Sequence, residues 1–252
     1  MLVRSLLKIQ WAWIGWCFFL CHSVTGAPFA FFSPPAGWQV SDPLLFNQEV
    51  KIGFVQSHKK IFSPAISLTI EKVGKAKLKT YLQAVRKNHR LHHHHGYREL
   101  GFLKTKSGKV HLSLIDQASQ WGPLRIMQAI SIHDGHAVIQ TATALKKDFP
   151  AVRKDILESF RSLTLAPSVV ESLADRKKRS ILEEKVKQLH KEWETYQKGA
   201  LKKGAALFFN SPFQQNVWQN FVKTFTRAFT DQEACWQLLA IQAIQSSLLK
   251  LP

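Results

Sequence analysis

Cysteine and acidic side chains are what this chain is short of. Its 252 residues include three cysteines, and 17 Asp and Glu stand against 35 Lys and Arg, for a formal charge of +18. Cys17 and Cys21 fall in an apolar N-terminal stretch, and without that stretch Cys235 stands alone. A disulfide scaffold and a cysteine-built zinc site are thereby excluded, and no intrachain disulfide is expected. Asn-x-Ser/Thr acceptors are absent too, since Asn210-Ser211-Pro212 lacks the third-position hydroxyl. Nucleophile-elbow, HExxH, P-loop and dinucleotide-binding motifs are missing. The chain therefore reads as a non-enzyme, and no cofactor is expected. What remains is 45% apolar and 21% charged, enough to bury a core and incompatible with wholesale disorder.

Arg4 and Lys8 precede an apolar run from Ile9 to Leu20, and Val24 and Gly26 suit the small-residue positions of a signal-peptidase site. Residues 1–26 read as a signal peptide, with the mature chain starting at Ala27. At about 1.5 Å per residue the run falls short of the roughly 30 Å hydrocarbon core, so a retained N-terminal membrane anchor is the alternative. Export, a single remaining cysteine and no glycosylation acceptor together point to a bacterial periplasm or envelope.

Residues 27–167 alternate strands with two helices. Gly37–Val40, Val50–Val55 and Pro64–Glu71 read as strands, the last with Ile66, Leu68 and Ile70 on one face. Lys77–Arg90 is helical by its Leu78, Tyr81, Leu82, Val85 spacing. Strands follow at Tyr97–Lys104, Val110–Gln117, Pro123–Ile132 and Ala137–Thr143. His133-Asp134-Gly135-His136 suits a type I′ hairpin. Asp148 is placed to cap a second helix carrying Val152, Ile156 and Phe160 inward, and Leu163–Leu165 closes the region. Consecutive hairpins imply an antiparallel sheet with helices packed over it, an α+β fold.

Residues 168–252 show no strand signal. Leu182, Val186, Leu189, Trp193 and Tyr196 form a short heptad-like seam on a charged helix. Ser211–Gln214 reads as a capping box opening a helix with Phe213, Val217, Phe221 and Phe225 at i+4 spacing. Thr230–Glu233 reads as a second box, so the region is a helical extension containing an αα-hairpin. Its aromatic stripe either packs internally or stays open for a partner.

The first region resembles the PsbP/Mog1/DcrB-like superfamily. The matching features are Phe32-Ser33-Pro34-Pro35-Ala36-Gly37-Trp38, the Pro64–Glu71 strand, the Leu78–Arg90 helix and the Gln128–Thr143 hairpin, followed by Asp148-Phe149 and Ile156–Leu163. It covers about residues 29–166. The resemblance implies an α/β/α sandwich around an antiparallel sheet. It also implies a non-enzymatic accessory, assembly or partner-binding role, with no catalytic residues to carry over. The helical extension departs from the family pattern.

Two groups of residues stand out as candidate sites. His92, His93, His94 and His95, with His89 before them, could ligate a transition metal. His111, His133 and His136 could join them through the sheet. The competing reading is a polar helix-to-strand loop. The second group is basic: residues 27–167 carry +11, with Lys72, Lys75, Lys77 and Lys79 where the first helix starts and Arg86, Lys87 and Arg90 where it ends. Such a field attracts an acidic protein or an anionic membrane. Nucleic acid is disfavoured, since no aromatic platform or recognised motif accompanies the charge. Phe213, Phe221 and Phe225 complete the candidate partner-binding set. The sequence thus reads as an exported binding or assembly component, with a metal-binding protein or a secreted effector as alternatives. Asp116 is the obvious lone carboxylate in the sheet region, and Cys235 reads as an inert buried thiol.

Overall fold

The computed structural model describes residues 26–41, 50–57, 62–91, 96–199 and 205–250. Seven strands form one antiparallel sheet: β2 (Trp38–Val40), β3 (Val50–Gln56), β4 (Ala65–Lys72), β5 (Gly96–Thr105), β6 (Gly108–Gln117), β7 (Leu124–His133) and β8 (His136–Leu145). Their spatial order is β2-β3-β4-β8-β7-β6-β5. β1 (Phe29–Phe31) lies outside this sheet and pairs with β9 (Thr164–Ala166). The helices are α1 (Leu78–Leu91), α2 (Phe149–Arg161), α3 (Arg176–Lys198), α4 (Ala205–Phe208), α5 (Gln219–Ala228) and α6 (Ala234–Leu249), with a π-helical stretch at Phe213–Trp218 leading into α5.

Register explains the two faces of the sheet. Ile66 sits opposite Ala142, Ala142 opposite Met127 and Met127 opposite Leu114, so one apolar row crosses four strands. Because side chains alternate, the neighbouring positions Ser67, Thr141, Gln128 and Ser113 make a polar row on the other face. The apolar face is the inner one. α2 covers it with Phe149, Val152, Ile156 and Phe160. On the outer face α1 sets Leu82 against Ile130, Ala137 and Ile139. The α+β class and the layered arrangement match the expectation from alternation.

The tight β7–β8 hairpin forms as its Asp-Gly pair predicts, with Asp134 at φ 46° and Gly135 at φ 74°. The carbonyl of Gly135 accepts from the backbone N–H groups of Val73 and Gly74, at 2.8 and 3.0 Å. A Cβ at 135 would lie 2.9 Å from the Gly74 carbonyl oxygen.

Helix starts follow the sequence less closely. Asp148 makes no side-chain cap; its backbone is already helical, at φ −91° and ψ −17°. The Thr230–Glu233 box does not form either. α6 starts at Ala234, and the Glu233 carboxylate instead accepts from Ser33 Oγ at 2.6 Å. Ser211 does cap, accepting from Gln214 N at 3.1 Å, while Gln214 Oε1 reaches Asn210 N. An unforeseen cap is Asp175, whose carboxylate accepts from Lys177 N at 2.8 Å to start α3.

The helical extension lies on the sandwich, and the hydrophobic core runs through both without a break. Trp236 of α6 is the joint. It stacks on Phe225 at 5.7 Å and 10°, meets Phe29 of β1 edge-on at 6.3 Å, and donates from Nε1 to Ser172 Oγ at 2.7 Å. From Phe225 the ring contacts continue through Phe221, Trp218, Phe208 and Trp193 to Tyr196. Each such pair adds about 0.5–1.5 kcal/mol beyond area burial.

Replacing Trp236 by Ala should cost about 3–5 kcal/mol. Because the core is shared, far-UV and near-UV circular dichroism should report one coincident urea transition; two separated transitions would show that sandwich and helices fold apart. Gly135→Ala should cost at least about 1–2 kcal/mol from the left-handed backbone alone, read by the same measurement.

Candidate functional site

The tetrad His92–His95 lies outside the described residues, as does the side chain of Arg90. His89 stacks on Tyr97 of β5, with ring centroids 5.7 Å apart. The remaining sheet histidines do not converge. Register puts His111 opposite Ile130 on the outer face, and carries His133 and His136 to the inner-face side. Among the described residues no three His, Cys, Asp or Glu side chains form a metal-holding group. His111 is buried with Glu99 Oε2 3.9 Å from its Nε2, and burial pushes its pKa below the usual histidine value.

The aromatic residues assigned to a partner are inside the protein. Phe213, Phe221 and Phe225 are all buried, packed against Trp193, Trp218, Phe229 and Trp236. The hairpin therefore presents none of these rings, and their role as a docking surface is corrected to core. Periodicity marked the stripe; the tryptophans that cover it come from two other helices, Trp193 of α3 and Trp236 of α6.

The basic residues around α1 take a different position. Lys72, Lys75, Lys77, Lys79 and Lys87 are exposed, and none makes an ion pair among the described residues. Arg86 is the exception, paired with Glu99. Of the carboxylates near this face, Glu99 pairs with Arg86, Glu71 accepts from the neutral Tyr81 Oη at 2.9 Å, and Asp134 of the adjoining hairpin is exposed. α1 itself contains no acidic residue. Charge counting found the lysines, but which acids are occupied is visible only in three dimensions.

Two groups with chemical potential prove structural. Asp116 holds Arg125 in a two-pronged pair at 2.7 and 2.7 Å and Lys146 at 3.0 Å. Arg125 in turn lies 5.8 Å above the Phe149 ring. The Arg125 hydrogen bonds hold the Asp116 carboxyl down to about 2. A carboxylate clamped in that state makes a poor proton donor. Cys235 is fully buried and its thiol is pushed up to about 12, chiefly by burial, as an inert core residue.

A large cavity, about 1000 Å³, opens between β3, β4 and the chain around β1 on one side and α3 and α6 on the other. Val186 and Leu182 of the heptad-like seam form part of its wall, while Leu182, Leu189 and Trp193 are also buried in the core. The sequence carried a signal for it: α6 interrupts its apolar run with Gln242, Gln245, Ser246 and Ser247, all on the lining.

Asp116 supplies a stability test. Its native pKa lies below the unfolded value of 3.8, so its contribution is present above about pH 4 and is lost as pH falls toward about 2. With a quarter of the side chain still meeting water, that contribution is on the order of 1–2 kcal/mol at neutral pH. Asp116→Asn should lower neutral-pH stability by this amount and flatten the loss between pH 4 and pH 2, measured by urea unfolding across pH. An unchanged acid limb would contradict it.

No family model and no curated protein matches the chain. Several solved structures are similar to it. LpqN of Mycobacterium tuberculosis, described as involved in cell envelope biogenesis, matches at 13% identity and a TM-score of 0.44, over 58% of this chain and 88% of that one. The PsbP protein of Synechocystis sp. PCC 6803 matches at 11% identity and 0.41, over 58% and 98%. The Ran-binding protein Mog1p of Saccharomyces cerevisiae matches at 15% identity and 0.39, over 54% and 89%. These likenesses concern the fold alone.

Proposed function

We propose that this protein is an exported, non-enzymatic binding component that engages an acidic protein through the basic face around α1. The observation that carries the reading is the uncompensated lysine field. Lys75, Lys77, Lys79 and Lys87 are exposed around α1 without an ion pair among the described residues, and α1 contributes no acidic residue. Lys79 and Lys87 lie two helical turns apart along one exposed row with Gln83 between them. Lys77 and Lys79 stand at the start of α1, where the aligned peptide dipoles are already positive and acidic residues would be stabilising. The fold thus keeps positive charge where its own electrostatics oppose it. An acidic surface laid across this end of α1 relieves that repulsion as it binds, and it draws the partner in over roughly a Debye length of about 8 Å at physiological salt.

The test is titration of the protein with polyglutamate, against vesicles of phosphatidylglycerol as the rival anionic surface. Polyglutamate should bind saturably and weaken steeply with salt. The fourfold variant Lys75→Gln, Lys77→Gln, Lys79→Gln, Lys87→Gln should lose about tenfold or more in affinity. Its melting temperature should hold or rise, since like charges have been removed. Unchanged binding by the variant, or tighter binding to vesicles than to polyglutamate, would overturn the reading.

A further inference from the structure

The cavity between the sheet and helices α3 and α6 has the character of a ligand site. Its sheet-side wall is apolar, with Val40, Ile52 and Ile70. Leu182, Val186, Leu239 and Ala243 form the helical wall. A volume near 1000 Å³ lies at the upper end of ordinary small-molecule pockets and far exceeds the voids that packed cores tolerate. Among the described residues no Asp or Glu lines it, and its formal charges are Lys51 and Lys250, both exposed. Lys51 belongs to β3, and Lys250 follows α6, so cations stand on both walls.

Two polar details point the same way. Ser41 lines the cavity at 5% exposure, and its hydroxyl has no hydrogen-bond partner among the described residues. A buried hydroxyl left unpaired costs about 1–3 kcal/mol, which an acceptor atom of a ligand would recover. His190 Nε2 lies 2.9 Å from Ser247 Oγ, and that hydroxyl donates to the Ile244 carbonyl at 2.7 Å. Ser247 therefore accepts from His190, and the imidazole is held in place on the lining.

An apolar chamber with cations and hydroxyls, and no acid among the described residues of its lining, matches one kind of molecule: a long alkyl chain ending in an anion. We propose that this cavity binds a long-chain fatty acid, with the alkyl chain between the sheet and α3/α6 and the carboxylate drawn to Lys51 and Lys250. The site is separate from the basic face of α1 and stands or falls without it.

Displacement of fluorescent cis-parinarate from the full-length protein by saturated fatty acids tests this. Hexadecanoate should compete saturably and one-to-one. Between octanoate and dodecanoate each added methylene should tighten binding about fourfold, until the chamber is full. Ala243→Phe, placed in the wall, should weaken hexadecanoate by about tenfold or more with the near-UV spectrum retained. Lys51→Glu with Lys250→Glu leaves the core untouched, so it guards against a misfolded wall variant. That charge reversal should weaken hexadecanoate while leaving hexadecanol unchanged. Failure of the full chain to bind saturably would overturn the proposal. So would a folded Ala243→Phe protein that binds normally, or a charge reversal that spares hexadecanoate.

Discussion

The helical half of this protein depends on one buried side chain. Trp236 fills the space between the strand that opens the fold and the helix that precedes α6, and its indole N–H finds Ser172. Around it converge Phe29 of β1, Phe225 of α5 and Phe229 at the C-terminal cap of α5. A ring of this size cannot be left in water cheaply, so its burial draws α5, α6 and β1 into one body. Ser33 adds a polar clasp. Its N–H donates to Ser162 Oγ, its carbonyl accepts from Ser159 Oγ, and its hydroxyl reaches Glu233. The end of α2 and the start of α6 are thus fastened to the same short segment.

Strand and hairpin positions were legible from local pattern. Ile66, Leu68 and Ile70 alternate because one face of β4 meets α2 and the helices, and Asp134-Gly135 turns where its backbone angles demand. β1 was not legible. Phe29–Phe31 is three residues beside Pro28, and its strand partner among the described residues, β9, lies more than a hundred positions away. The aromatic stripe shows the same limit from the other direction. Strict i+4 spacing brought Phe213, Val217 and Phe221 together, and the π-helical stretch, with its wider turn, accommodates a repeat longer than 3.6. Periodicity tells which residues share a face, while the identity of what covers the face is a tertiary fact. Trp193 and Trp236 supply the cover here, and no local window contains both.

Charge divides along the same line. The excess on residues 27–167 was countable from the sequence, yet a sum cannot separate lysines that are paired from lysines that are free. Asp116 spends its charge on Arg125 and Lys146 across the inner face, and Glu99 spends its own on Arg86. What is left over is spread around the sandwich, with Lys75, Lys77, Lys79 and Lys87 gathered around α1. The two faces of the sheet therefore differ: one is closed by a large shared core, the other by the smaller cluster under α1 with lysines at its rim.

The pairing of β1 with β9, and of Ser33 with Glu233, has a consequence for the order in which the molecule is made. The clasp joins positions 200 residues apart. A chain that emerges from its N-terminus has the first strand in hand long before α6 exists to hold it. Closing so long a loop is entropically late, and contacts of this span slow the final step of folding. The meander from β5 to β8 needs no such wait, because each of its strands pairs with the next. The protein is therefore built from the middle outward, and its two ends are sewn together last.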